Sequence, residues 1–461
     1  MNSETQSLVP VTQQAESMEL TVDEVRESLS MTEKGQPANT IGNCRTVFCQ
    51  DPLLRGAIRL NLLTDRVDIV RDLGWRRSTS ALTDTDVKYL LLYFEQNYGL
   101  TSEKKLMAAL SIVANENYYH SIQDVLNSLE WDGKSRIRSC LHHFLGADES
   151  DYVEEILKHF LLGAIRRVFH PGSKYEELLC LVGGQGAGKS TFFRFLAIQD
   201  EWFSDDLKKL DDDKMFAKLQ GHWIIEMSEM LATSNAKSIE EIRSFISRQK
   251  ETYRTPYETQ PKDRLRQCVF GGSSNTLDFL PLDRAGNRRF LPVMIYPEKA
   301  EIHILEDEAA SREYLLQVWA EAMEIYRSGS YSMKFTKEIQ KQLVEVQKDF
   351  MPEDTEAGQI QGFLEHYIGN MVCSKQLFKE ALGHAFEEPK RWQLHNINEI
   401  MNTVVTGWKP FSNPRMFAGY GRQRGWEREI SGNELPDNEG GFVELSEEEV
   451  RQLELPKEWI A

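Results

Sequence analysis

A glycine-rich segment carries the residue types that bind phosphate. It reads Gly183-Gly184-Gln185-Gly186-Ala187-Gly188-Lys189-Ser190-Thr191 and directly follows the apolar run 178–182. From Gly183 to Ser190 the spacing fits G-x-x-x-x-G-K-[ST], between a predicted buried strand and a predicted helix. Glycines let the loop curl so that backbone N–H groups converge on phosphate oxygens, and the helix directs its positive end at the same charge. The segment predicts an ATP site in which Lys189 reaches the β- and γ-phosphates and Ser190 binds Mg²⁺; the alternative is a plain strand-to-helix turn.

A second predicted strand, residues 221–226, ends in an acidic residue. Glu226 would lie at the carboxyl edge of the sheet beside the phosphate loop, so we assign it to the Mg²⁺ shell. Glu229, which follows three positions later, is the candidate that polarises an attacking water. Solvated carboxylates at a strand end are the alternative interpretation.

An asparagine follows a third apolar run, residues 268–272. Asn275 could hold the γ-phosphate or the lytic water through its amide, a role that needs hydrogen bonding without added charge. A turn asparagine is the alternative, since Asn is common in turns.

Two adjacent arginines precede a fourth run, residues 290–295. Arg288 and Arg289 are costly to bury without an anion, and the γ-phosphate of a neighbouring subunit would be a suitable partner. The pair predicts an arginine finger that acts in trans, with a surface ion pair as the alternative.

These candidates require strands that alternate with helices. The four apolar runs are separated by helical stretches, which predicts a three-layer α/β domain with a mainly parallel sheet over residues 151–350. Residues 1–40 are predicted to be a mobile tail, and residues 41–150 a helical domain. Residues 351–461 predict a small α+β domain in which short helices and aromatic strands suit a winged helix.

The composition and net charge limit the class of protein to which the chain can belong. The chain has 461 residues, a formal net charge of −18, 41% hydrophobic and 27% charged residues. This is ordinary for a folded globular protein and argues against a surface that is basic all over. We find no apolar stretch near the ~20 residues that a membrane helix needs, so a cytoplasmic protein without a membrane partner is expected. Six scattered cysteines without C-x-x-C spacing predict reduced, buried thiols rather than a metal site.

One stretch of this acidic chain is locally basic and interleaved with tyrosines. It spans residues 243–257 and is followed by Lys262, Arg264 and Arg266. Cations for phosphates and aromatic faces for bases suit a hairpin that lines a pore for single-stranded DNA, while a solvated charged loop is the alternative. A second basic and aromatic group occurs in the C-terminal domain, where it could contact duplex DNA at an origin: Lys390, Arg391, Trp392, Trp408, Lys409, Arg415 and the segment 422–428.

With these elements in place, the chain resembles the virulence-associated protein E family, replication proteins of phages and mobile elements whose ATPase core is similar to superfamily 3 helicases. The matching segments are Trp131-Asp132-Gly133-Lys134 with Arg136, Gly183 to Thr191, Glu226-Met227-Ser228-Glu229, Gly272-Ser273-Ser274-Asn275, Gly286-Asn287-Arg288-Arg289-Phe290 and Gly421-Arg422-Gln423-Arg424-Gly425-Trp426.

The resemblance implies an AAA+-like ring in the bacterial host cell, a hexamer that hydrolyses ATP between subunits and translocates on single-stranded DNA. It also implies that Lys250 and Arg254, in the basic stretch, grip that strand. A replicative DNA helicase is therefore the expected function. The alternative is an ATP-controlled origin-binding or assembly switch without unwinding, and a small-molecule kinase is a third possibility that fits the flanking domains less well.

Overall fold

The structure is a computed structural model that describes residues 20–207, 218–227, 236–253, 261–281 and 287–429, with only the backbone for 236–239. The chain divides into two compact units, Met1–Pro352 and Glu353–Ala461. Within the described ranges, no helix combines the length and the apolar composition that crossing a membrane requires.

The first unit begins with a small mixed α and β region. Its helices are α1 (Val22–Glu27), α2 (Ile41–Gln50), α3 (Asp84–Tyr98) and α4 (Glu103–Glu116), and its strands are β1 (Ile58–Asn61), β2 (Arg66–Ile69) and β3 (Tyr118–Tyr119). The strands form a sheet in the order β2-β1-β3. The prediction of a helical domain therefore missed these strands, which are too short to show a clear alternation.

The tail prediction was wrong for residues 20–40. Thr21 and Glu24 form a capping box that starts α1. Val25 and Leu29 are buried in a core shared with α2, α3 and α4. Burial of these two side chains supplies the free energy that holds the segment in place. Residues 1–19 lie outside the described part of the chain.

The central sheet is parallel and has five strands in the order β10-β4-β9-β6-β5. The strands are β4 (Leu178–Val182), β5 (Phe203–Ser204), β6 (Ile224–Glu226), β9 (Val269–Ser274) and β10 (Phe290–Met294). The predicted mainly parallel α/β sheet is confirmed. The sequence did not reveal β5, which has only two residues.

Helices cover both faces of this sheet because successive residues of β4 point to opposite sides. Leu179 and Leu181 pack into one apolar cluster, and Leu178, Cys180 and Val182 into another. The first cluster is shared with α5 (Ser121–Ser128), α6 (Ile137–Leu145), α7 (Asp151–Phe169), α8 (Lys189–Leu196), α10 (Glu308–Ser328) and α11 (Lys337–Lys348). The second includes side chains of α9 (Ala236–Ile246).

The domain boundary that the sequence placed at residue 150 runs through the first cluster. Ile122 and Leu141 from before that position pack with Leu157 and Phe160 from after it. An antiparallel hairpin of β7 (Lys250–Tyr253) and β8 (Lys262–Leu265) follows α9.

The second unit is a small α+β fold. Its elements are α12 (Thr355–His366), β11 (Met371–Cys373), α13 (Ser374–Gln376) with a π-helical continuation Leu377–Ala381, α14 (Arg391–Thr403), β12 (Trp408–Phe417) and β13 (Gly421–Arg428). The strands form an antiparallel sheet in the order β11-β13-β12. Ile360, Leu377, Ile397 and Ile400 form the centre of its core.

Candidate functional site

The glycine-rich loop is positioned by the fully buried strand β4 and by its neighbours. The N–H of Gly183 donates to the carbonyl of Ser274 at 3.1 Å, which joins the loop to the end of β9. A Cβ atom at Gly183 would lie 2.5 Å from Cγ1 of Ile295, so this position requires glycine. Gly186 and Gly188 have φ of 80° and 82°. These left-handed conformations curl the loop and end it at the first residue of α8.

The ammonium group of Lys189 joins the loop to the third apolar strand. Nζ donates to the carbonyls of Gly183 at 2.7 Å and Gly184 at 2.8 Å, and to Oδ1 of Asn275 at 2.9 Å. Burial lowers the pKa of Lys189, because a desolvated ammonium is less favourable than a solvated one. The structure therefore brings Lys189 and Asn275 into contact.

The carboxylate of Glu226 lies between two hydroxyl donors. Ser190 donates to Oε1 at 2.8 Å, and Ser273 donates to the same oxygen at 2.5 Å. Glu226 is 1% exposed. Desolvation raises its pKa, opposed by the two hydroxyl hydrogen bonds and by Lys189, while Asp205 adds to the increase.

The second carboxylate oxygen of Glu226 is a candidate metal ligand. Oε2 of Glu226 is buried and has no hydrogen-bond partner among the described residues. A buried oxygen of this kind is costly unless something binds it. Mg²⁺ prefers hard oxygen ligands and keeps several waters. The carboxylate of Glu226 and the hydroxyl of Ser190 fit that preference, although no group of three or more His, Cys, Asp or Glu side chains lies together in the described ranges.

Sequence reasoning missed the roles of Ser273 and Asp205. Ser273 lies on β9, opposite Leu181 of β4, and donates to the same oxygen of Glu226 as Ser190 does. Its only signal was the pair of serines before Asn275. Asp205 follows β5, the strand that the sequence did not predict, so its approach to Glu226 could not be anticipated.

The paired arginines lie away from the loop of their own chain. Both contact Glu176: Nη2 of Arg288 is 3.6 Å and Nη2 of Arg289 is 3.5 Å from its carboxylate oxygens. Phe290 pairs with Leu178 and Met294 with Val182, so the arginines precede the start of β10 while the loop follows the end of β4. At about 3.3 Å per residue, the strand alone separates the two ends by roughly 15 Å.

The predicted DNA-binding stretch forms the β7–β8 hairpin, but not all of its cations face solvent. Lys250 is half-exposed and pairs with Asp263 at 2.5 Å. Lys262 and Arg264 pair with Asp65 of the first region. Arg266 is 3% exposed and forms a buried ion pair with Glu251.

Arg266 is therefore a structural residue of the hairpin base, and counting it as part of a basic surface was wrong. Two of the predicted site residues, Glu229 and Arg254, lie outside the described residues.

The segment from Trp131 to Arg136 forms a closed turn before α6. The guanidinium of Arg136 donates to both carboxylate oxygens of Asp132 at 2.7 Å, and Nε1 of Trp131 donates to the carbonyl of Lys134 at 2.8 Å. The backbone N–H groups of Asp132 and Arg136 also donate to Gln317 and Glu321 of α10. These contacts within the turn and to α10 indicate a structural role.

In the second unit, several members of the basic and aromatic group are part of the fold. Trp408 and Trp426 are buried in its core. Arg415 pairs with Glu427, and Arg428 donates to the carbonyls of Leu364 and Tyr367. Trp392, at the start of α14, is 62% exposed.

Comparison with known proteins gives a family for the central part of the chain. A family model of the virulence-associated protein E-like domain matches residues 126–352. A search of curated proteins gave no match.

Among solved structures, "The A form apo structure of NrS-1 C terminal region-CTR(305-718)" matches with 13% sequence identity and a TM-score of 0.43, covering 81% of this chain and 96% of that chain. "The apo structure of NrS-1 C terminal region (305-718)" matches with 13% identity and a TM-score of 0.42 over the same shares. A likeness of this degree carries no conclusion about activity.

Proposed function

The chain belongs, through residues 126–352, to the virulence-associated protein E-like family, and from this premise we propose that it is an ATP-dependent replication motor of a phage or mobile genetic element. It acts as a ring-shaped homo-oligomer, a hexamer, on single-stranded DNA in the bacterial host cell. The observation that carries the proposal is the contact between four candidate side chains: Lys189 with Asn275, and Ser190 with Glu226.

These four side chains come from three elements of one P-loop, AAA+-like core. The first turn of α8, directly after the glycine-rich loop, supplies Lys189 and Ser190; β6 supplies Glu226, and Asn275 follows β9. The carboxyl ends of parallel strands meet at one edge of a sheet, which is where nucleotides bind in α/β folds. Backbone N–H groups of residues 183–191 would cradle the phosphates, and Lys189 would exchange its carbonyl partners for phosphate oxygens.

Ser190 and Glu226 would hold Mg²⁺. When bound, the ion neutralises charge on the phosphates as the terminal phosphoryl group is transferred to water. Glu226 must be ionised for this role, and a cation beside it lowers a pKa that burial alone raises. Asn275 is placed to orient water or the γ-phosphate through its amide, and we assign polarisation of the attacking water to Glu229.

Arg288 is the better candidate for the finger that reaches a neighbouring subunit. Its side chain is 71% exposed, whereas that of Arg289 is 21% exposed. A guanidinium that faces outward at the edge far from its own loop can contact a phosphate only in another protomer. Arg289 would then pair with Glu176 and thereby position the adjacent Arg288.

Single-stranded DNA would follow the β7–β8 hairpin, with Lys250 and Arg254 contacting phosphates. The half-exposed ammonium of Lys250 supports this assignment because its partner, Asp263, is itself half-exposed. Such a surface pair is weak, and a phosphate can compete for the lysine.

The test is ATP hydrolysis by the purified chain with and without single-stranded DNA, together with strand separation. We expect DNA to stimulate hydrolysis, and Lys189→Ala to abolish both hydrolysis and unwinding. Lys334→Ala, an exposed lysine before α11, is the matched control. A protein that hydrolyses ATP and never displaces a strand would refute the helicase part.

An ATP-controlled origin-binding or assembly switch is the second candidate. The observation that favours it is the second unit, whose helices α13 and α14 and sheet order β11-β13-β12 suit a winged helix. Sequence-specific duplex binding that survives Lys189→Ala, without any unwinding by the unaltered protein, would favour the switch.

A further inference from the structure

A cavity of about 400 Å³ lies beside the base of the β7–β8 hairpin, apart from the candidate ATP site. One wall is β8, another is the turn between β1 and β2, and a third is the segment 219–222 before β6. The start of α5 completes the enclosure through His120 and Gln123. Its volume is within the range of pockets that hold small organic groups.

The charged side chains that line the cavity cancel. Asp65, Glu251 and Asp263 are matched by Lys262, Arg264 and Arg266. Each of these cations is within ion-pair distance of one of the carboxylates. Because the charges balance and each cation already has a carboxylate partner, the cavity does not attract a phosphate, and its occupant is expected to be neutral.

Gln123 supplies the cavity with a hydrogen-bond acceptor. Its Nε2 donates to the carbonyl of Val168 at 2.8 Å. Because a carbonyl can only accept, the amide orientation is fixed, and Oε1 is the atom that remains. In the part of the chain that the structure describes, no hydrogen bond to Oε1 is present.

His222 supplies a second acceptor for the same reason. Its Nδ1 lies 2.8 Å from the carbonyl of Lys218, so Nδ1 carries the hydrogen. Burial lowers the pKa of His222, which keeps the ring neutral and leaves Nε2 with a lone pair. Among the described residues, Nε2 has no partner.

We propose that this cavity receives one nucleobase of the single strand that runs along the hairpin, and that Gln123 and His222 accept hydrogen bonds from its exocyclic amino group. The inference rests on the proposed function, because the hairpin brings the strand to the cavity. Adenine, cytosine and guanine carry such an amino group, whereas thymine presents a carbonyl in its place. The cavity therefore selects against thymine.

The test compares single strands of equal length made only of deoxycytidine or only of thymidine, at one fixed salt concentration. Each neutral hydrogen bond lost or gained changes affinity by a factor of a few, so the deoxycytidine strand is expected to bind about tenfold more tightly. His222→Phe and Gln123→Leu should bring the two affinities together. Gln340→Leu, at an exposed glutamine of α11, should keep the preference.

Equal affinity of the unaltered protein for the two strands would overturn the inference and leave the DNA motor intact. A preference that persists in both cavity variants would also overturn it. Free deoxycytidine has no phosphate and so should not bind at the ATP site. Its binding tests whether the cavity takes a free nucleoside or a base of the DNA strand. If it binds at the cavity while the strands show no preference, the site takes a free nucleoside and the proposed strand contact is wrong. Failure to bind either strand contradicts the proposed function itself.

Discussion

The hydroxyl of Ser190 donates a 2.8 Å hydrogen bond to Oε1 of Glu226, and this contact joins the first turn of α8 to the end of β6. Strand β9 lies between β4 and β6 in the sheet. Ser273 of that strand donates to the same oxygen. Oε1 thus accepts two hydrogen bonds, while Oε2 is buried and has no partner in the described ranges.

Glu226→Gln is expected to stabilise the protein in the absence of nucleotide and Mg²⁺ at neutral pH. Burial raises the pKa of Glu226 above its ordinary value of 4.5, so the folded state resists ionisation more than the unfolded state does. The cost is absent below pH 4.5 and grows as pH rises through the folded-state pKa. Thermal unfolding at pH 8 should therefore show a higher midpoint for the variant, and unfolding near pH 4.5 should show little difference.

The same variant should hydrolyse ATP poorly, since a neutral amide binds Mg²⁺ less well than a carboxylate. Glu324→Gln, an exposed glutamate of α10, is the control for both measurements. A Glu226→Gln protein less stable than the unaltered one at pH 8 would contradict the electrostatic account.

Asn275→Ala should slow hydrolysis while leaving ATP binding largely intact. The amide accepts from Lys189 at 2.9 Å, but Lys189 also has the carbonyls of Gly183 and Gly184, so the loop keeps its lysine in place. Loss of one preorganised hydrogen-bonding group costs about 10²–10³ in turnover. The turnover number and the nucleotide affinity should be measured separately. If Asn275 only forms a turn, its substitution will change neither quantity.

The Arg288→Ala and Lys189→Ala variants should restore part of the ATP hydrolysis when they are mixed in one oligomer. Each variant alone is expected to be inactive, since one lacks the finger and the other the phosphate-binding lysine. In mixed oligomers, an intact Lys189 in one subunit can meet an intact Arg288 in its neighbour, and part of the activity returns. Arg289→Ala should instead destabilise the fold by about 1 kcal/mol through loss of its half-buried pair with Glu176. Mixtures as inactive as their components would exclude action in trans.

Short-range patterns account for what the sequence could predict. The strand β4 is an uninterrupted apolar run, and three glycines after it, Gly183, Gly186 and Gly188, occupy left-handed or crowded positions that few other residues tolerate. Such features depend on residues that are close in the sequence, so a sequence pattern predicts them directly. It identified the loop, the acidic strand and the parallel sheet.

Long-range pairing accounts for what the sequence could not predict. The ion pairs of Arg289 with Glu176 and of Arg266 with Glu251 depend on which strands become neighbours. A basic residue looks the same in the sequence whether it faces solvent or is buried beside a carboxylate. Strands as short as β3 and β5 also fall below the length at which alternation is visible.

Lys250→Ala should weaken binding of single-stranded DNA and reduce its salt dependence. One lost phosphate contact lowers the slope of log affinity against log salt by about 0.7. Asp263→Asn should act in the opposite direction, because it releases the lysine from its 2.5 Å pair. Lys337→Ala, on the exposed start of α11, is the matched control. If both hairpin variants bind as the unaltered protein does, the hairpin is a solvated loop.

Trp392→Ala should weaken duplex binding by about tenfold and leave single-strand binding unchanged, if α14 is the helix that meets DNA. The indole is 62% exposed beside Lys390 and Arg391, whereas Trp408 and Trp426 are buried and hold the unit together. The exposed indole and the two adjacent cations could contact the bases and phosphates of a duplex, which is the reason for choosing Trp392 for this test. Phe386→Ala removes a fully exposed ring from the loop before α14 and serves as the control. Equal duplex affinity of both variants and the unaltered protein would show that α14 does not contact the duplex through Trp392.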